Sequence, residues 1–130
     1  MSYPETFKES YQVTLSAEPE WIHVEIKGTA NYENAKAIWR KILDFCNTHQ
    51  CYKILGEQRT TNEMSTTDAW KHTEIFSELG INGKYKIAWV DLNPRSYQTT
   101  QFIRQALANR YLGYGKIFND TEKAKSWLNS

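Results

Sequence analysis

Long apolar runs, prolines and cysteines are all scarce in this chain of 130 residues. The longest purely apolar run is Ile87-Ala88-Trp89-Val90, far below the roughly 20 residues that a membrane-spanning helix needs. Residues 1–8 contain no apolar core of the kind that a secretory signal requires. We therefore expect a protein that is not transmembrane and that is located in the cytoplasm.

The chain has only two cysteines, Cys46 and Cys51, with His49 between them. A structural zinc site takes about four ligands at tetrahedral spacing, and the sequence offers no second Cys/His pair. Cys46 falls on the apolar stripe of a predicted helix and Cys51 opens a predicted strand, so both are interpreted as structural thiols. We expect no metal site and no cofactor.

Neither a proline-rich or glycine-rich linker nor a strong net charge is present, since the three prolines are scattered and the formal charge is +1. A chain of this length is typical of one domain, which we predict to span residues 1–130. The basic run of Lys36, Arg40 and Lys41 is closely followed by Asp44, a pattern typical of a solvated helix face. We expect no nucleic-acid partner.

Two stretches near the beginning alternate apolar and polar residues, 11–16 and 21–26, with a turn at 17–20 between them. This pattern predicts a hairpin with one wetter face. Glutamates and Pro19 protect its edge against self-pairing. From the helix cap Asn31 onward the period changes to that of a helix, with its apolar side at Ala35, Ile38, Trp39, Ile42, Phe45 and Cys46.

Three strand and helix units follow. Strand 52–58 precedes a helix from Ser65 to Gly80, strand 84–91 precedes a helix that begins at Asn93-Pro94 and closes at Gly113, and strand 115–119 precedes a last helix from Asp120. The apolar side of the third helix is predicted at Phe102, Ile103, Ala106 and Leu107. The order predicts an α/β fold, a mixed and mainly parallel sheet of about five strands, with an N-terminal hairpin, an antiparallel edge strand and four helices.

Three segments of this order carry a resemblance to a known family: residues 21–28, residues 86–90, and residues 116–118 followed by 121–128. The closing Glu-x-Ala-x-x-Trp-Leu pattern is the most specific of them. Over nearly its whole length the chain resembles the STAS fold, and within it the SpoIIAA-like group of small cytoplasmic proteins. The resemblance implies a regulatory module that binds a protein partner, not an enzyme, and no catalytic residues are expected.

STAS-type antagonists of anti-sigma factors are switched by phosphorylation of a hydroxyl residue where the third strand meets its helix. The resemblance therefore makes Ser65 and Thr66 candidates for phosphorylation. In place of the antagonists' Asp-Ser-Ser-Gly-type sequence, this chain reads Asn-Glu-Met-Ser-Thr-Thr-Asp over residues 62–68. An alternative interpretation is a capping box, in which the side chains of Ser65 and Asp68 satisfy backbone N–H groups of the helix start.

In a doubly wound sheet the residues just past the strands meet at one edge, where ligands bind. This edge includes Glu57 and two arginines that could grip a carboxylate or phosphate. The alternative is a solvated rim of charges that pair with one another. The candidate binding residues are Arg59, Thr60, Ser65, Thr66, Asp91, Asn93 and Arg95.

The chain is rich in aromatic residues, which include five tryptophans. Trp70, Tyr97, Tyr111 and Tyr114 have no clear place in the predicted core and could form a patch or line a groove. CRAL-TRIO lipid-binding proteins have a similar fold, so binding of a small apolar molecule or lipid is the second hypothesis. A homodimer through helix faces also stays open.

The three histidines, His23, His49 and His72, match no catalytic motif.

Overall fold

The computed structural model describes residues 11–130. Within this range the chain forms five strands and five helical segments. In chain order they are β1 (Tyr11–Ala17), β2 (Ile22–Gly28), α1 (Tyr32–His49), β3 (Lys53–Thr60), α2 (Thr66–Trp70), α3 (His72–Leu79), β4 (Lys86–Asp91), α4 (Pro94–Ala108), β5 (Tyr114–Phe118) and α5 (Thr121–Leu128).

The five strands form a single sheet in the order β1-β2-β3-β4-β5. β1 pairs with β2 antiparallel, and all the other neighbours are parallel. The predicted mixed α/β sheet with an antiparallel edge strand is therefore confirmed. The spatial order equals the sequence order, so the sheet has no reversal point of the kind that creates a crevice in doubly wound folds.

The helices cover the two faces of the sheet unequally. Right-handed crossovers between successive parallel neighbours place their helices on the same face, and the side chains of α1, α3 and α4 pack there on Ile54, Ile87 and Trp89. Among the helices of residues 11–130, only α5 packs on the opposite face, where Ala124 and Leu128 join a small second core. The larger core, and the space for a pocket within it, lies beneath α1, α3 and α4.

Several helix ends form as the sequence predicts. The side chain of Asn31 accepts a hydrogen bond from the Asn34 N–H, and Asn93 accepts one from the Arg95 N–H. Asp120 accepts one from the Lys123 N–H. Gly80 has φ of 73° and ends α3 in the left-handed conformation, which glycine adopts without a steric cost.

The predicted helix from Ser65 to Gly80 is interrupted at Lys71 into α2 and α3. Two side chains form hydrogen bonds with the backbone carbonyls at the end of α2. His72 Nδ1 lies 3.2 Å from the Asp68 carbonyl and 3.1 Å from the Ala69 carbonyl, and Thr73 Oγ1 donates to the Trp70 carbonyl at 2.9 Å. These bonds supplement the backbone bond that the Lys71 N–H donates to the Ala69 carbonyl, at a helix end where carbonyl groups lack their usual partners.

Two predictions for α4 are wrong. Phe102 is 41% exposed, and it lies outside the apolar side formed by Ala106 and Leu107. The helix also ends at Ala108, before Gly113, whose φ of 102° instead serves the turn into β5. No helix found in residues 11–130 has the length and apolarity to cross a bilayer.

Candidate functional site

Of the two hydrogen bonds in the predicted capping box at Ser65, only the one that Ser65 accepts is formed. Ser65 Oγ accepts a hydrogen bond from the Asp68 N–H at 3.1 Å. Asp68 Oδ2 accepts from the Tyr32 N–H at 3.1 Å instead of from Ser65, because the start of α1 lies beside it. The two side chains thus fix α2 against α1. Ser65 and Thr66 are exposed, and their phosphorylation stays a prediction.

Asp91 is not on the solvent rim where the sequence placed it. It is 1% exposed, and its carboxylate accepts hydrogen bonds from Ser96 Oγ at 2.8 Å and Thr100 Oγ1 at 2.8 Å. The Asn93 N–H also donates to it, at 3.0 Å. A buried carboxylate requires such donors, and the first turns of α4 supply them. Asp91 therefore organises the start of α4.

The other predicted binding residues are spread over different surfaces. Arg59 is exposed on the α5 side of the sheet, together with Glu57 from the same strand. Thr60 lies on the opposite side and accepts a hydrogen bond from Gln58 at 3.4 Å. Asn93 is a helix cap, and Arg95 is exposed at the start of α4. These residues lie at or just after the carboxyl ends of the parallel strands β3 and β4, at one edge of the sheet, although Arg59 and Thr60 face opposite sides of it, and their binding roles stay predictions.

On the α5 side, Glu57 forms a small polar cluster. Its carboxylate lies 2.6 Å from His23 Nε2 and accepts a hydrogen bond from Thr121 Oγ1 at 2.9 Å. Burial alone would raise the pKa of Glu57, but the bonds from His23 and Thr121 and the nearby cationic side chains outweigh burial and lower it. Within residues 11–130, no group of three or more His, Cys, Asp or Glu side chains is arranged to hold a metal ion.

Two adjoining pockets lie between the helix-covered face of the sheet and the helices α1, α3 and α4. Their volumes are about 90 Å³ and about 70 Å³. The first extends toward β5 and the second toward the loops after β2 and β3. Both are lined by Trp39, Gln58, His72, Trp89, Thr100 and Ile103. We call the two adjoining pockets, with these six residues between them, the central pocket.

Aromatic rings form the wall of the central pocket. Trp39 and Trp89 stack with their ring centroids 5.3 Å apart and their planes 28° apart, and Phe76 meets Trp39 edge-on at 4.7 Å. Trp89 can occupy this place because its neighbour on β3 is Gly56. A Cβ at Gly56 would overlap Cε3 and Cζ3 of the Trp89 ring.

His72 is the polar group that stands out in this apolar setting. It is 6% exposed. Carbonyl oxygens only accept, so Nδ1, which faces the carbonyls of Asp68 and Ala69, carries the proton. Burial lowers the pKa of His72, although the two carbonyls and the charge of Asp68 oppose this effect. In the neutral ring Nε2 is therefore an acceptor, and no residue in the described range donates to it.

Gln58 supplies the second polar group of the central pocket. Its Oε1 accepts the Trp89 Nε1–H at 2.7 Å, which fixes the orientation of the amide. Its Nε2 donates one hydrogen to Thr60 Oγ1. An amide nitrogen has two hydrogens, so one more remains for a ligand or water.

Sequence reasoning missed this pocket. His72 lies between Ala69 and Thr73 on the buried side of the predicted helix, and a histidine among apolar helix positions was the one available signal. Nothing in the sequence pattern marked Gln58, because its role depends on the Trp89 indole on the neighbouring strand β4.

A group of exposed side chains lies on the outside of α2 and α4. Trp70 is 45% exposed and Phe102 is 41% exposed, and their ring centroids are 6.3 Å apart. The Arg110 guanidinium carbon lies 5.0 Å from the centre of the Trp70 ring, within the range of a cation–π contact. We call Trp70, Phe102 and Arg110 the outer aromatic patch. Tyr111 and Tyr114 are also exposed, whereas Tyr97 packs partly against the core.

Comparison with known proteins identifies the fold but no function. No family model and no curated protein sequence matches the chain. Among solved structures, the chain is similar to an uncharacterized protein of the DUF3478 family with a SpoIIAA-like fold, from Shewanella loihica PV-4. The TM-score is 0.56 at 14% identity, over 91% of this chain and 93% of the other. The fold of the chain is therefore SpoIIAA-like.

Proposed function

We propose that the protein is a non-catalytic interaction module that binds a protein partner through the outer aromatic patch. The observation that carries this proposal is the pair of exposed rings, Trp70 and Phe102, with Arg110 stacked on Trp70. Tryptophan and arginine are the residue types that contribute most to binding at protein interfaces. Isolated exposed aromatics are ordinary on a protein surface, whereas rings grouped around an arginine favour recognition.

The helices beneath the patch hold these side chains in place. Trp70 is the last residue of α2, whose first turn is capped by Ser65 and whose last carbonyls are bonded by His72 and Thr73. Phe102 lies in the middle of α4, which begins on the Asp91 network. A side chain on such an element loses less freedom on binding than one on an unsupported loop.

The charges of this surface favour an acidic partner. Neither Arg95 nor Arg110 forms an ion pair with any residue from 11 to 130, and both are exposed. Arg95 precedes Phe102 by two helical turns on the same side of α4. The partner that fits best is a peptide segment in which carboxylates flank an aromatic or aliphatic anchor, since complementary charge selects partners and speeds their association.

Selection from a random peptide display library tests this proposal. We expect the wild-type protein to enrich peptides with acidic residues around an apolar anchor. Selected peptides should bind Trp70→Ala and Phe102→Ala at least tenfold more weakly, a loss of about 1.4 kcal/mol. Tyr114→Ala, which removes an exposed ring elsewhere, serves as the matched control and should bind normally. Equal binding to wild type and to both patch variants would contradict the proposal.

A second candidate function is the binding of a small apolar molecule in the central pocket. The observation that favours it is a buried aromatic wall that faces empty space beside two polar groups, the usual composition of a ligand site. Each volume, about 90 Å³ and about 70 Å³, is smaller than the roughly 150 Å³ of a cavity that holds benzene, and only the two adjoining pockets together approach that size. This size supports a ring-sized molecule and not a lipid with a long acyl chain.

A further inference from the structure

We infer that the central pocket recognises a small, uncharged, ring-sized molecule that carries a hydroxyl or N–H group, and that His72 Nε2 accepts the hydrogen bond from that group. The inference rests on the second candidate function and specifies its ligand. It follows from the unpartnered buried acceptor, the aromatic wall and the limited volume taken together.

The hydrogen bonds of His72 determine which kind of polar group the ligand must carry. The Nδ1 hydrogen is shared by the carbonyls of Asp68 and Ala69, at 3.2 Å and 3.1 Å. These bonds hold the ring and leave Nε2 without a donor among residues 11–130, and the His72 side chain lines both pockets. A buried acceptor that forms no hydrogen bond has a free-energy cost. A ligand whose donor group binds Nε2 removes this cost.

The residues common to both pockets favour an uncharged ligand, because the cationic side chains Arg104 and Lys116 line the first pocket alone. Thr100 lines the central pocket, but its hydroxyl is committed to Asp91 Oδ2 at 2.8 Å. The Asp91 carboxylate is itself satisfied by Ser96, Thr100 and the Asn93 N–H, so it has no need of a cation. An anion in the centre would meet apolar rings and an unprotonated imidazole nitrogen, and a buried charge without a partner is costly.

The shape of the wall favours a flat apolar body. Trp39 and Trp89 present their stacked rings and Phe76 presents an edge, an arrangement that accommodates a further ring in an offset or edge-to-face contact. Ile103 contributes an aliphatic side chain from α4. The free N–H of Gln58 offers a second polar contact, suited to the oxygen of the same hydroxyl group.

Phenol and toluene form a matched pair of probes, because they differ only by a hydroxyl in place of a methyl group. We expect phenol to bind the full chain at least tenfold more tightly than toluene, since a site that pairs with a hydroxyl discriminates against an analogue without one. Benzoate, which carries a charge on the same ring, should bind at least tenfold more weakly than phenol. Nuclear magnetic resonance titrations of the tryptophan side-chain signals report all three affinities.

The variant His72→Leu removes the acceptor and should abolish the preference for phenol while toluene still binds. His49→Leu, which replaces an exposed histidine at the end of α1, is the matched control and should keep the preference. In the wild type, the nitrogen resonance of His72 Nε2 should shift when phenol is added and not when toluene is added. This last measurement holds even if His72→Leu does not fold.

The outcomes separate the inference from the function on which it rests. Equal binding of phenol and toluene, with no shift of the Nε2 resonance, would overturn the role of His72 and leave ligand binding intact. Benzoate that binds as tightly as phenol would overturn the requirement for an uncharged molecule. If none of the three probes binds at millimolar concentration, both the inference and the second candidate function fail.

Discussion

Gly56 is a single residue that makes room for the Trp89 ring, which forms part of the wall of the central pocket. It lies in β3 opposite Trp89 of β4, and a Cβ on it would lie 2.9 Å from Cδ2 of the Trp89 ring and closer still to two other ring atoms. The ring is stacked on Trp39 and its N–H is bonded to Gln58, so it has little freedom to move away. The absence of a side chain at Gly56 is therefore a packing requirement.

We expect Gly56→Ala to lower the free energy of unfolding by about 1–3 kcal/mol, the usual cost of adding a carbon to a filled core. Urea unfolding followed by tryptophan fluorescence measures this loss. Gly83→Ala is the matched control, because a Cβ there meets no atom within 4 Å, and it should leave stability within about 0.5 kcal/mol of wild type. A Gly56→Ala variant as stable as the control would show that the Trp89 ring is not confined.

Individual buried polar residues were the hardest to place from sequence. Asp91 ends a strand and looks like a rim carboxylate, yet Ser96 and Thr100 on the following helix draw it inside. Both donors are present in the sequence, at five and nine residues after Asp91. Whether they reach Asp91 depends on how closely α4 packs on β4, and the local sequence pattern does not determine this tertiary contact.

At the scale of elements, α5 has a larger role than its eight residues indicate. It covers its face of the sheet, and Ala124 and Leu128 are fully buried there against Leu55, Ala88 and Val90. A helix this short is unstable by itself, so its formation depends on this docking and on the cap that Asp120 provides. Without α5 the apolar side chains of β3 and β4 would be exposed to water.

We expect Leu128→Ala to lower the free energy of unfolding by about 2–5 kcal/mol, the range found for truncating a fully buried leucine. The effect should be this large even though only two residues follow Leu128 in the sequence. Chemical denaturation measures it, with Ser126→Ala, an exposed position on the same helix, as the control. A loss below about 0.5 kcal/mol, as at an ordinary surface site, would mean that α5 is not required for the fold.

The order of the elements was predictable because caps and periodicity act locally. Asn31, Asn93 and Gly80 mark helix ends by their own backbone and side-chain chemistry, and the switch from period two to period three or four separates strands from helices. The interruption at Lys71 was not predictable in this way. It depends on side chains of His72 and Thr73 that bond backward to α2, and these compete with a continuous helix.

For the whole molecule, the consecutive strand order explains where the residues of the predicted binding edge lie. With no reversal in the sheet, the loops after β2, β3 and β4 follow one another along the edge, and residues from the first two loops and from the start of α4 line the second pocket. The same order gathers α1, α3 and α4 on one face, and the space among them becomes the central pocket. Fold class was thus predictable from the sequence, whereas the location of the site required the spatial order of the strands.

The pH dependence of stability should report on both faces of the sheet. The pKa of His72 is lowered from its ordinary value of 6.5, and the pKa of Glu57 is lowered from 4.5. In each case the unfolded chain binds the proton more readily than the folded protein does, so stability rises with pH across the interval between the two pKa values. The contribution of His72 is complete above pH 6.5 and that of Glu57 above pH 4.5, and each is lost as the pH falls below that value.

We therefore expect the free energy of unfolding to decline in two stages as the pH is lowered from 8, first below about 6.5 and again below about 4.5. Urea titrations at closely spaced pH values measure the profile. In His72→Gln the first stage should be reduced and the second unchanged, whereas Glu57→Gln should show the reverse, since the two residues lie on opposite faces and act independently. A first stage that persists undiminished in His72→Gln would mean that His72 does not cause it, and that burial does not lower the pKa of His72 in the folded protein.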